Sequence, residues 1–126
     1  MKTTDIKIGK KTFALAFTLD ALAELEETIE GFSLADLAKY PRTAKGLGDL
    51  IYALAKQGEL LQGRTLTVDR AWIGSHLSPA PARIAGYQVA VLEAINAGMD
   101  METDDEEKGE EDVVLQELKK KDVRDE

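Results

Sequence analysis

The chain predicts an α+β fold: a small, mainly α-helical domain opened by an N-terminal β-hairpin and followed by a disordered acidic C-terminal tail. The prediction rests on polar–apolar alternation around Gly9-Lys10, on later stretches whose apolar residues recur every three or four positions, and on charge gathered beyond residue 99. With 126 residues, 44% hydrophobic and 32% charged, there is material for one folded unit and no sign of wholesale disorder. The domain is expected at residues 1–99 and the tail at 100–126.

In the hairpin, expected over residues 5–17, Asp5-Ile6-Lys7-Ile8 alternates, Gly9-Lys10 suits a two-residue turn with Gly first, and alternation resumes from Lys11 to Phe17. Pairing Ile8 with Lys11 sets Ile6 opposite Phe13. Ile6, Ile8, Phe13 and Leu15 then share one face, and Asp5, Lys7, Thr12 and Ala14 the other. A lone hairpin is marginal in water, so the apolar face needs a cover, for which the next helix is the nearest candidate.

That helix is expected over 19–30. Thr18 is its N-cap, Asp20 sits in the first turn, Leu19, Leu22, Leu25 and Ile29 form its apolar side, and Gly31 stops it. Ser33 with Asp36 suggests a capped short helix over 34–40, ending before Pro41. A longer helix over 43–57 carries Ala44, Leu47, Leu50, Ile51 and Leu54, with Gly58 as its stop and the loop 59–66 beyond. Thr67 is expected to cap a short helix over 68–76, and Ser78-Pro79 to start the last one, over 79–98, with Ile84, Tyr87, Val91, Leu92 and Ile95 on one face.

Charge divides the chain. Residues 1–99 hold 11 acids and 11 bases, and residues 100–126 hold 13 acids and 5 bases, so the whole charge of −8 belongs to the tail. Residues 100–112 carry nine acids and one lysine, a composition that cannot build a core. The stretch Val113-Val114-Leu115-Gln116-Glu117-Leu118 before Lys119-Lys120-Lys121 has the makings of a brief amphipathic helix, too short to persist alone. Direct nucleic-acid binding is disfavoured, because the domain's basic residues are spread from Lys2 to Arg83 with no clustered footprint. No apolar run approaches the ~18 residues of a membrane span, and no signal core follows Met1, so a cytoplasmic protein is expected.

Chemistry finds little support. The absence of cysteine excludes disulfides, thiolate metal sites and a Cys nucleophile. His76 is the single histidine and lacks the neighbours of a catalytic triad or a metal-binding helix, so it reads as a packing or surface residue. The Gly46-Leu47-Gly48 pattern lacks the third glycine and the preceding strand of a dinucleotide site, and reads instead as allowing close helix approach. Glu102, Asp104, Glu106 and Glu111 imitate calcium-loop positions, yet Asp105 stands where the sharp-turn glycine belongs. Glu24 with Glu27, and Asp20 with Glu24, could pair as carboxylates but lack apolar bracketing and read as a solvated helix face. No catalytic group, cofactor or metal site is expected. The large side chains Tyr52, Trp72, Tyr87 and Val91 are the candidates for contact with a partner or with a second copy, although such residues more often belong to a core.

The run Ile6-Lys7-Ile8-Gly9-Lys10-Lys11-Thr12-Phe13-Ala14-Leu15-Ala16-Phe17-Thr18-Leu19-Asp20-Ala21-Leu22-Ala23-Glu24-Leu25-Glu26 resembles the opening of the tail assembly chaperones of long-tailed phages, prophages and gene transfer agents. There a hairpin with isoleucines before a Gly-Lys turn and a Phe-x-Leu-x-Phe strand leads into a Leu-x-Ala-Leu-x-x-Leu-Glu helix. Leu66-Thr67-Val68-Asp69-Arg70-Ala71-Trp72-Ile73-Gly74 is similar to the family's Leu-Thr…Ile-Gly segment before the last helix, and the resemblance spans residues 5 to about 98. It implies a non-catalytic protein that binds the tape measure protein, helps recruit tail tube subunits, possesses the option of self-association and is absent from the mature virion. The family often makes a longer product by ribosomal frameshifting, and Lys119-Lys120-Lys121 suits an adenine-rich slippery stretch. Gly46, Gly48 and the acidic 100–112 segment depart from the family pattern. Two other functions stay open: an acidic adaptor or nucleic-acid mimic for a basic partner, and a small hydrolase. Removing the chain beyond Gly98 separates the first of these from a chaperone, which should keep most client binding.

Overall fold

A computed structural model describes residues 2–100, an α+β arrangement with an antiparallel hairpin at its start. Strands β1 (Thr4–Ile8) and β2 (Lys11–Leu15) pair with Ile8 opposite Lys11 and Ile6 opposite Phe13, the expected register. Gly9 takes φ +64°, a left-handed conformation that glycine adopts without steric cost. Helices α1 (Leu19–Thr28), α2 (Ala44–Leu61), α3 (Arg70–His76) and α4 (Pro81–Met99) follow, with a 3-10 segment, Leu34–Arg42, between α1 and α2.

Helix α2 is the hub. The fully buried side chains Ile8, Leu15, Leu25, Leu50, Ile51, Leu54, Ile73 and Val91 come from both strands and from all four α-helices. Burying one such aliphatic side chain contributes roughly 1.5–3 kcal/mol. The hairpin packs on α2 through β2 and on α4 through β1, while α1 lies against α2. Its apolar face is therefore covered chiefly by helices distant in sequence, not by the adjacent α1. Ala14, assigned by alternation to the solvent face, is buried as well, because the free edge of β2 is pressed onto α2.

Gly58 explains that close approach. It lies inside α2 instead of ending it, and a Cβ there would strike the Ala14 carbonyl oxygen. The bare helix surface lets the β2 edge settle against the helix backbone, where the Ala16 N–H donates to the Leu54 carbonyl oxygen at 3.0 Å. An edge strand is thereby closed to further pairing. At the other end of α2 the Thr43 hydroxyl accepts from Gly46 N–H at 3.0 Å, and a Cβ on Gly46 would strike the Tyr40 carbonyl. Gly48 presents its bare side to the Arg70 guanidinium, so both glycines of the Gly-x-Gly pattern serve close packing.

Several boundaries differ from expectation for local reasons. Thr18 caps α1 as expected, accepting from Ala21 N–H at 3.2 Å, but Leu19 is 78% exposed and Ala21 takes its place in the core. Ser33 forms no side-chain cap. Its N–H donates to the Tyr40 hydroxyl at 2.8 Å, and the segment winds as a 3-10 helix through Pro41. Pro41 is the penultimate residue of the segment, so only its own missing N–H bond is lost there, and the closing bond from Thr43 N–H to the Tyr40 carbonyl oxygen is kept at 3.3 Å. Asp69, not Thr67, caps α3, accepting from Trp72 N–H at 2.8 Å. Helix α4 starts at Pro81 instead of Pro79, and Ser78 is held outside it by donating its N–H to the Tyr87 hydroxyl at 3.0 Å. The expected tail 100–126, apart from Asp100, lies outside the described residues, as do the calcium-like spacing and the short helix at 113–118.

Candidate functional site

A groove of about 360 Å³ lies where the start of α2 meets α3 and the start of α4. Leu47, Leu77, Pro79 and Ile84 give it an apolar floor. The charged side chains in its lining are Arg42, Lys45 and Arg70, all basic. A cavity of this size, mainly apolar with a few polar groups at its margin, is suited to holding aliphatic side chains from another polypeptide segment.

One carboxylate organises two of those cations. Asp49 is buried in α2 and accepts from Lys45 Nζ at 2.8 Å and from Arg70 Nε at 2.8 Å, while Arg70 Nη2 also donates to the Lys45 carbonyl oxygen at 3.3 Å. The arrangement ties α3 to α2 and fixes the guanidinium beside the groove. Arg42, just ahead of α2, is exposed to solvent. With Asp49 counted, the three cations leave this rim with two positive charges in excess.

The four residues expected to meet a partner are distributed differently. Val91 is sealed in the core, which corrects its assignment as a contact residue, and Tyr87 is largely buried beside it: the α4 face that carries them is turned onto the hairpin and α2. Tyr87 nevertheless lines the groove from below. Tyr52 is half-buried and lines a smaller depression, about 150 Å³, with Leu60, Leu66 and Val68; Lys56 Nζ stands 5.1 Å from its ring centre. Trp72 is half-buried on another feature, edge-on to Phe13 at 5.9 Å, stacked on His76 at 3.9 Å and approached by Lys11 Nζ at 5.6 Å. His76 thus has the packing role that its surroundings in sequence suggested, with Nδ1 2.9 Å from the Trp72 carbonyl oxygen.

Two buried carboxylates were not singled out by sequence reasoning. Asp49 sits among Leu47, Leu50 and Ile51 at the i+4 position from Lys45, a spacing that is visible in sequence but equally common on a solvated face. Glu59 accepts from Ala14 N–H at 2.8 Å and from Arg64 Nε at 2.7 Å and Nη2 at 3.0 Å. The Arg64 hydrogen bond holds the Glu59 carboxyl below its ordinary value, with the Ala14 amide helping and burial opposing. On the α1 side, Lys56 Nζ pairs with Glu24 at 3.0 Å, and that bond raises the lysine above its usual value. Glu24 is therefore an ion-pair partner between helices, not half of a carboxylate pair.

Among the described residues no group of three or more His, Asp or Glu side chains is placed to hold a metal ion, and no helix is long and apolar enough to cross a membrane. Comparison with protein-family models, with curated proteins and with solved structures returned no match.

Proposed function

We propose that this chain is a tail assembly chaperone of the long-tailed phage, prophage and gene transfer agent type, a non-catalytic protein that binds the tape measure protein and helps recruit tail tube subunits in the bacterial cytoplasm. The observation that supports the reading most is the open apolar groove beside Leu77 and Ile84, two half-buried side chains at the edge of the core. A second support is the Tyr52 depression, edged by Leu60, which is 58% exposed. Apolar concavities with polar rims are where a protein holds another chain reversibly. Several weak contacts repeated along one long client give firm retention without any single tight site.

The test is coexpression with a tape measure protein. The wild-type chain should keep the client soluble and copurify with it, whereas Ala44→Glu with Pro79→Asp, at exposed positions of the groove lining, should lose the client while retaining its own circular dichroism and melting profile. Retention that survives both groove changes but disappears when the tail acids become Asn and Gln would favour an acidic adaptor for a basic partner instead.

A further inference from the structure

We infer that the chain carries its own occupant for the groove: segment 113–118, Val113-Val114-Leu115-Gln116-Glu117-Leu118, docks there intramolecularly, delivered by the acidic stretch before it. The inference is independent of the chaperone reading, since it concerns what fills the groove when no client is present.

Chemistry matches on both sides. The groove has an apolar floor and a rim with Arg42, Lys45 and Arg70 as its charged lining residues. The segment offers Val114, Leu115 and Leu118, spaced i, i+1 and i+4 as on one face of a helical turn, which is the anchor pattern of a helix laid in a groove. Immediately before it, residues 100–112 hold nine acids and one lysine. Attraction between that run and the basic rim brings the segment in and sets its direction, with the acids over the arginines and Lys119, Lys120 and Lys121 left toward water.

Reach matches as well. Helix α4 begins beside the groove, with Ile84 in the lining, and ends at Met99. At 1.5 Å per residue, about 22 Å separates Ile84 from Met99 along the helix. Unstructured polypeptides of about a dozen residues have a root-mean-square span near 20 Å, and like charges lengthen it. Local concentration is greatest when linker span and site distance agree, so even a weak docking contact is populated.

The absence of cysteine makes the test direct, because Gln116→Cys places one spin label on the full chain. In isotope-labelled full-length protein at low salt, the amides of Ala44, Lys45, Leu77 and Ile84 should be broadened several-fold more than those of Glu26 and Glu27 on α1. The contrast should persist on dilution, weaken as salt shortens the screening length, and vanish with Val114→Asp plus Leu118→Asp. Uniform broadening over the surface, or a local pattern indifferent to the two aspartates, overturns the inference. So does a pattern seen when the spin label and the isotope are on different molecules, which would make a second copy the donor of the segment.

Discussion

The Ala14 amide donates to Oε2 of Glu59 at 2.8 Å across 45 residues of sequence, joining the free edge of the hairpin to the last turns of α2. The same carboxylate is held by Arg64, so one side chain satisfies a strand donor and anchors the loop that leaves the helix. Glu59→Ala leaves a buried N–H without its acceptor, and the expected cost is about 2–3 kcal/mol. For a domain of this size the melting temperature should fall by roughly 4–8 °C per kcal/mol. Glu59→Gln retains an acceptor for Ala14 and should cost about half as much; equal losses in the two variants, measured by denaturant unfolding, would contradict this role for the carboxylate.

The pH dependence of that contact has a definite sign. The Glu59 carboxyl lies below its ordinary value in the folded chain, chiefly because Arg64 donates to it. Its contribution is therefore fully present above the unfolded glutamate value, about 4.3, and is lost as pH falls through the lower folded value. The stability gap between wild type and Glu59→Gln should be constant from pH 6 upward and narrow as pH falls below the unfolded glutamate value. Lys56 behaves in the opposite sense: raised by its bond to Glu24, it contributes fully below the unfolded lysine value, about 10.4, and loses that contribution as pH rises through the folded one.

Gly58 faces the Ala14 backbone with no room for a methyl group. Alanine in a helix interior ordinarily stabilises by about 1 kcal/mol relative to glycine. Here Gly58→Ala should instead destabilise by about 1–3 kcal/mol, since the strand must move off the helix. A calorimetric melting temperature at or above that of wild type would show that the hairpin can retreat freely.

Asp49 and Arg70 should be energetically coupled. Arg70→Ala leaves a buried carboxylate with Lys45, whose side chain is 74% exposed, as its remaining ionic partner. The expected loss is about 2 kcal/mol, reduced from a fully buried pair because Arg70 itself is partly in water. A double-mutant cycle with Asp49→Asn should return a coupling of about 1 kcal/mol; additive single changes would mean that the pair contributes nothing beyond packing.

The expected contact residues now separate by readout. Tyr87→Ala, in the core, should cost about 3–4 kcal/mol of stability. Tyr52→Ala, on a surface depression, should leave the melting temperature within a few degrees and lower client retention instead. Copurification alongside thermal unfolding distinguishes the two effects.

Sequence by itself determined what depends on neighbours a few positions away. The strand register follows from alternation around Gly9, the Thr18 cap from a hydroxyl three residues before the Ala21 amide, and the existence of each helix from apolar spacing. Helix ends were less legible, because Gly58 and Pro41 have the local signature of a stop yet serve inside their helices, where packing against Ala14 and the Tyr40 hydroxyl bond to Ser33 override propensity. Tertiary structure alone decided which apolar residues face inward. An amphipathic pattern shows that Leu19, Ala21, Tyr52 and Tyr87 lie near a boundary, but whether each is buried depends on which element arrives from far along the chain. The groove was invisible for the same reason: its floor joins residues from Leu47 to Ile84, and its basic rim exists because Asp49 draws Lys45 and Arg70 together across two helices.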